Sequence, residues 1–184
     1  MSIFDKRLNY KPFEYPEILQ FTDAINKSFW VHSEVDFTAD MQDFHAHLND
    51  NEKEVVKKSL LAIAQIEVAV KSFWGDLYHH FPKPEFNGLG STFAECEFRL
   101  SEAYSRLLDV LGYNNEFADL LETPVIRKRI DYLSEALEHT KSTDKKKYVF
   151  SLILFSILIE NVSLFSQFAI ILSFTRFKGV MKNI

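Results

Sequence analysis

Apolar positions recur along this chain at helical spacing, and the polar residues between them mark where helices begin and end. The run DNEKEVVKKSLLAIAQIEVAVKSFWGDLYHHF reads as one long helix, capped at Asp50 and ended by Pro82. A second long helix, TFAECEFRLSEAYSRLLDVL, would start from a cap at Ser91 and stop at Gly112. Pro124 suits the first turn of a helix of about four turns, and a last helix starts near Asp144. A short helix is expected around Glu17–Ser28, between an extended aromatic and proline-rich start (1–16) and the irregular segment FWVHSEVDF. No repeat or low-complexity linker interrupts the series, so residues 1–184 are expected to form one all-α domain.

Composition narrows this picture. Hydrophobic residues make up 47% of 184 positions, enough for a real core. Lys and Arg number 21 against 26 Asp and Glu, which argues against a nucleic-acid surface. The single cysteine, Cys96, excludes an internal disulfide and fits a reducing compartment. The start MSIFDKRLNYKPF lacks a signal-peptide core, so a cytoplasmic protein is expected.

The segment SLILFSILIENVSLFSQFAIILSF (151–174) has the length of a membrane span but carries Glu160 near its middle. An acid at a bilayer centre costs about 2.5–3.5 kcal/mol even on insertion scales. Ser156, Glu160, Ser163 and Gln167 step by four, three and four residues, one face of a helix. A core helix with one polar stripe, and no membrane, is the reading. In the second long helix, Glu95, Arg99, Glu102 and Arg106 share a stripe assigned to solvent. Glu97 lies about 200° from Glu95 at about 100° per residue, on the inner side with Leu100, Tyr104 and Leu108. Glu67, in AIAQIEVAV, is either paired with Lys71 at the surface or buried; its apolar neighbours favour burial. Three inward carboxylates on three helices are unstable without a cation among them. Hard oxygen donors in a helical bundle suit a di-metal centre of manganese or iron.

The segments ECEFRLSEAYS, FWVHSEVDF, LNDNEKEVVKKSLLAIAQIEVAV and ILFSILIENVSLFSQFAI resemble, in order and spacing, the small subunit of class I ribonucleotide reductase. The resemblance covers essentially the whole chain. It implies a ferritin-like helical bundle, a homodimer, and a dinuclear manganese or iron centre with Glu67, Glu97 and Glu160 at ligand positions. It further implies Tyr104 as the radical tyrosine, Trp30 as an electron-transfer residue, and a large catalytic subunit as partner.

Two departures accompany the resemblance. The family's Glu-x-x-His reads Glu97-Phe98-Arg99-Leu100, and Leu100 cannot donate to a metal. No other histidine replaces it obviously: His45 and His47 oppose one another on a helix, His79 and His80 end one, and His32 and His139 lie elsewhere. The family also continues beyond FTRFKGVMKNI into a helix with a second Glu-x-x-His, the fourth ligand-bearing helix. The resemblance therefore implies a shortened chain or the N-terminal piece of a split subunit that works with a separate C-terminal half. Low or absent metal occupancy of this chain alone is then expected, as are exposed apolar faces. A metal-poor scaffold and a ferritin-like oxidase remain as alternatives.

Overall fold

The computed structural model describes residues 2–184, with the side chains of Val68 and Ala69 outside the description. No strand occurs among the described residues, so the chain is all-α as expected. The elements are α1 (Ile18–Lys27), α2 (Thr38–His47), α3 (Asp50–Gly75), α4 (Leu77–His80), α5 (Pro84–Leu111), α6 (Asn114–Leu121), α7 (Pro124–Thr140), α8 (Lys145–Ile153) and α9 (Phe165–Lys178). An 11-residue π-helical run, Leu154–Leu164, joins α8 to α9, making one continuous helix of 34 residues.

Local chemistry explains most of the boundaries. Asn49, one residue earlier than expected, caps α3 through a reciprocal pair with Glu52. Pro124 opens α7 behind Thr123, and Asp144 caps α8 by accepting from the Lys146 N–H. Gly112 ends α5 at φ 75°, a left-handed conformation that favours glycine.

Three expectations need correction. The first long helix does not run to Pro82; it stops at Gly75, and the separate turn α4 follows. The second starts at Pro84, not after Ser91, because Pro84 takes the first-turn position and Gly90 is absorbed by packing. A Cβ on Gly90 would lie 2.6 Å from the Trp74 carbonyl oxygen, so this glycine is what lets α5 close on the end of α3. Lastly, the helix carrying His45 and His47 has no bounds in the sequence reading and proves to be α2, Thr38–His47; its sequence TADMQDFHAH buries only Asp40 and Phe44 and has little apolar rhythm.

The centre of the bundle is α3 laid against α5. Trp74 meets Phe93 at 4.8 Å between rings, while Leu61 and Ala64 cluster with Leu108, so the two helices run antiparallel. The π run, α7 and α9 pack on other sides of α3 through Phe155, Leu133 and Ile171. Phe155 is fully buried and stacks on Phe73 at 4.7 Å. Ile157, Leu158, Val162 and Phe165 remain exposed, in line with the expected apolar faces. By length and composition alone the helix Lys145–Lys178 could cross a membrane, but its Ser156, Glu160, Ser163 and Gln167 stripe is half-buried against the bundle.

The N-terminal arm is fastened by buried charge. Arg7 donates to Glu85 Oε2 at 2.5 Å and to the carbonyls of Asn9, Tyr10 and Pro12. Glu85 Oε1 accepts from the Glu14 N–H at 2.8 Å, and Lys83 Nζ reaches Glu14 at 2.8 Å. Lys83 and Glu85 are fully buried.

Candidate functional site

The three acids singled out in the sequence do turn inward. Glu67 on α3 is 2% exposed, Glu97 on α5 is 8% exposed, and Glu160 in the π run is half-buried. Lys71 does not neutralise Glu67, since its ammonium lies over the Phe98 ring at 5.8 Å. Burial raises the Glu67 carboxyl to about 7, with the Glu160 charge adding and a hydrogen bond from Glu97 opposing. Burial raises Glu97 to about 8, helped by the Glu67 charge and by the proton it donates to Glu67. Glu160 rises to about 7 through burial and the Glu97 charge, with the Trp74 indole partly offsetting this. The acids therefore sense one another and hold protons near neutral pH.

Two cavities lie near these acids, and the first reaches Glu97 and Glu160 directly. One, of about 330 Å³, is lined by Glu97, Glu160, Trp74, Cys96, Phe93 and Ser156 among others. The other, of about 230 Å³, is almost wholly apolar and brings Trp30, Leu100 and Tyr104 to one wall system with Leu107 and Phe168. Burial, then the Glu67 and Glu97 charges, push the Tyr104 phenol far above its ordinary value. Tyr104 is therefore a neutral phenol in an apolar setting.

Trp30 is held there by a residue assigned to solvent from the sequence. Arg99 is buried, pairs with Glu95 at 2.8 Å and donates to the Trp30 carbonyl at 3.0 Å. Arg106 likewise donates to the His32 carbonyl at 2.5 Å. The stripe of Glu95, Arg99, Glu102 and Arg106 is thus only half a solvent face. Its acids are exposed while its arginines pin segment 29–37 onto α5, with Arg99 over the Phe29 ring at 4.4 Å.

Other residues at the site escaped the sequence reading. Trp74 sits seven positions after Glu67, a spacing that puts both on one helix face and could have flagged it. Cys96 lines the same cavity beside Phe93 and Glu97 of its own helix, facing Trp74, Ser156 and Glu160 from other helices. Arg129 of α7 donates to Ser163 Oγ at 3.3 Å, a contact across 34 positions that no local pattern signals.

A divalent cation fits the donor chemistry. Glu67 Oε2, Glu160 Oε1 and Gln167 Oε1 are buried without a hydrogen-bond partner, and acids raised first by burial and then by one another's charge are acids short of a cation. The set is incomplete in number. Among the described residues no three His, Cys, Asp or Glu side chains converge closely enough to enclose an ion, and Leu100 supplies no nitrogen. Leu100→His is expected to tighten Mn2+ binding about tenfold or more, read by equilibrium dialysis, because it adds an imidazole one turn from Glu97. Unchanged affinity would mean that position 100 faces away from the cation.

Comparison with known proteins bears on what this arrangement is. Residues 7–184 match the family described as ribonucleotide reductase, small chain. A probable ribonucleoside-diphosphate reductase small subunit of invertebrate iridescent virus 6 is 32% identical over 195 aligned positions, covering 100% of this chain and 54% of the viral one. The chain thus spans about half the length of the curated relatives it matches, 54% and 52% for two viral sequences. Among solved structures, the ribonucleotide reductase R2 subunit from Clostridium botulinum superposes with a TM-score of 0.85 at 16% identity, over 96% of this chain and 56% of that one. The dimanganese(II)-NrdF of Streptococcus sanguinis gives 0.79 at 15% identity, over 98% and 62%. At these identities the structural likeness establishes the fold.

Proposed function

This chain belongs to the ribonucleotide reductase small-chain family, and on that premise we propose that it provides carboxylate and tyrosine parts of a radical-generating centre serving reduction of ribonucleoside diphosphates. Its fold is the all-α, ferritin-like bundle of that family. The observation that carries the reading is the inward turn of Glu67, Glu97 and Glu160, with the Glu67 and Glu97 charges acting on the buried Tyr104 phenol that shares an apolar cavity with Trp30.

In this reading Glu67, Glu97 and Glu160 would hold a dinuclear manganese or iron group through carboxylate oxygens. When bound, that group supplies one-electron oxidising power next to Tyr104. The chain's own residues prepare the tyrosine. Burial and the neighbouring acids keep the phenol protonated, so oxidation must remove its proton together with an electron. Glu67 and Glu97, raised by burial to about 7 and about 8, can each take or release a proton near neutral pH, which suits the pair to proton traffic at the site. Leu100, Leu107 and Phe168 give Tyr104 an apolar wall that offers the phenol no hydrogen-bond partner. Trp30, fixed by Arg99, offers a second oxidisable ring on the same cavity.

The same reading assigns a large catalytic subunit carrying the nucleotide site as partner, a second copy of this chain as dimer mate, and a cytoplasmic setting. Tyr104→Phe tests it in the reconstituted reductase. The substitution removes one hydroxyl and is expected to abolish the tyrosyl signal in electron paramagnetic resonance, while metal content and circular dichroism stay unchanged. A tyrosyl signal that survives would assign the radical to another residue.

A further inference from the structure

We propose that Arg99 is a positioning residue that sets how readily the Trp30 indole gives up an electron, with Glu95 as its counter-charge. Helical phase assigns Arg99 to solvent, yet it is 6% exposed. Its Nη1 donates to the Trp30 carbonyl at 3.0 Å, which fixes the backbone that carries the indole. The guanidinium carbon lies 4.4 Å from the centre of the Phe29 ring and 5.7 Å from that of Trp30. Further along α5, Arg106 donates to the His32 carbonyl at 2.5 Å, so the helix grips the segment at Trp30 and again at His32.

A fixed cation beside an aromatic ring acts in two opposite ways. It is attracted to the negative face of the neutral ring, and it repels the positive charge left when that ring loses an electron. The neutral indole is therefore favoured over its radical cation. At 5.7 Å, away from bulk water, one unit charge moves that balance by more than about tenfold. Glu95 returns part of this. Its carboxylate lies 2.8 Å from the Arg99 Nε, but its side chain is 47% exposed where that of Arg99 is 7% exposed. Water and salt therefore screen the acid more than the cation, and the ring feels a net positive charge.

Trp30 shares its apolar cavity with Tyr104, and among the described residues a cation lies over the first ring and none over the second. The Arg99 charge thus disfavours Trp30 as the resting place of an oxidising equivalent. Trp30 as an electron carrier belongs to the reductase reading, on which this role rests. The charge effect itself is read in the metal-free chain, so its failure and the failure of the tyrosyl test are separate results.

Flash photolysis of the full chain with a chelator present tests the proposal. Photo-generated tris(bipyridine)ruthenium(III) takes one electron from Trp30 and returns to ruthenium(II), the indole Nε1 proton passes to water, and the tryptophan radical is followed by its visible absorption. High ionic strength keeps surface charge from steering the oxidant. Trp30→Phe supplies the blank for Trp74, which is 7% exposed. Arg99→Met should speed the oxidation about tenfold, and Glu95→Gln should slow it. Arg99→Lys keeps the charge and should stay within about twofold of the parent. A purely structural role would move Arg99→Met and Glu95→Gln in the same direction, since both loosen one contact. Glu95 is half-exposed, so its variant tests the sign even where loss of Arg99 unfolds the chain. Equal rates in the parent and these two variants, shifts of one sign in both, or a lysine variant that matches the methionine one overturns the proposal.

Discussion

Arg7→Ala is expected to destabilise the chain by about 3–5 kcal/mol, the cost of removing one partner from a buried ion pair. Glu85 is fully buried and, among the described residues, has no other cation at bonding distance to replace the Arg7 guanidinium. Burial alone would raise the Glu85 carboxyl. Arg7 and the N–H groups of Glu14 and Tyr15 instead bring it below its ordinary value, so it is charged at neutral pH. The same substitution frees the carbonyls of Asn9, Tyr10 and Pro12 that the guanidinium gathers. Urea denaturation checks the figure, and melting should fall by roughly 10 °C for a chain of this size. The paired change Arg7→Met with Glu85→Met should recover most of the loss, because it leaves no unpaired charge in the core. A single-variant loss below about 1 kcal/mol would show that the arm is not fastened by this pair.

The second large effect is on pH. In the metal-free chain, stability is expected to fall as pH rises from about 4.5 to about 8. Glu67, Glu97 and Glu160 have folded-state values near 7, 8 and 7 against an ordinary 4.5. The folded chain therefore binds more protons than the unfolded one across that window, and each proton given up on raising the pH favours unfolding. Their contribution is most favourable below the unfolded value and is lost once the pH passes the folded ones. For Glu67 alone the loss is of order 3 kcal/mol above about pH 8. Acids with lowered values, such as Glu52 and Asp36, titrate below this window and do not mask it. Urea midpoints at pH 5 and pH 8 in the presence of a chelator give the measurement. Glu97→Gln should flatten the slope, and Mn2+ added at pH 8 should restore part of the loss by binding only the folded chain. A midpoint that is level or rises over this range would mean that burial and mutual charge do not raise the three acids in the folded chain.

Much of this was legible in the sequence because it is local. Helical phase alone turned Glu97 inward, and the four-three-four spacing put Glu160 on a polar stripe. Cap and stop residues gave Gly112, Pro124 and Asp144 their places. What escaped depends on contacts between distant positions. Arg99 repeats the i,i+4 pattern of an exposed ion pair, yet segment 29–37 folds over it, and nothing on α5 announces that cover. Arg7 and Glu85 are separated by 78 positions, and each looks like an ordinary surface charge in its own segment. The start of α5 was missed for a related reason. Only the approach of α3 explains why Gly90, just before the expected cap at Ser91, must lack a side chain.

The wide-turned run Leu154–Leu164 has a consequence for how Glu160 is held. Each π turn closes over one more residue than an α turn, so the run stores extra backbone length between two anchored ends. Ser151, whose hydroxyl donates to the Ala136 carbonyl, pins one end, and buried Ile171 pins the other. Tightening a single wide turn would rotate everything beyond it by about 100°, which would carry Ile171 out of the core. The acid's bearing is thus a compromise between two distant anchorages, and a one-residue deletion inside the run would re-aim the whole of α9 rather than remove a side chain.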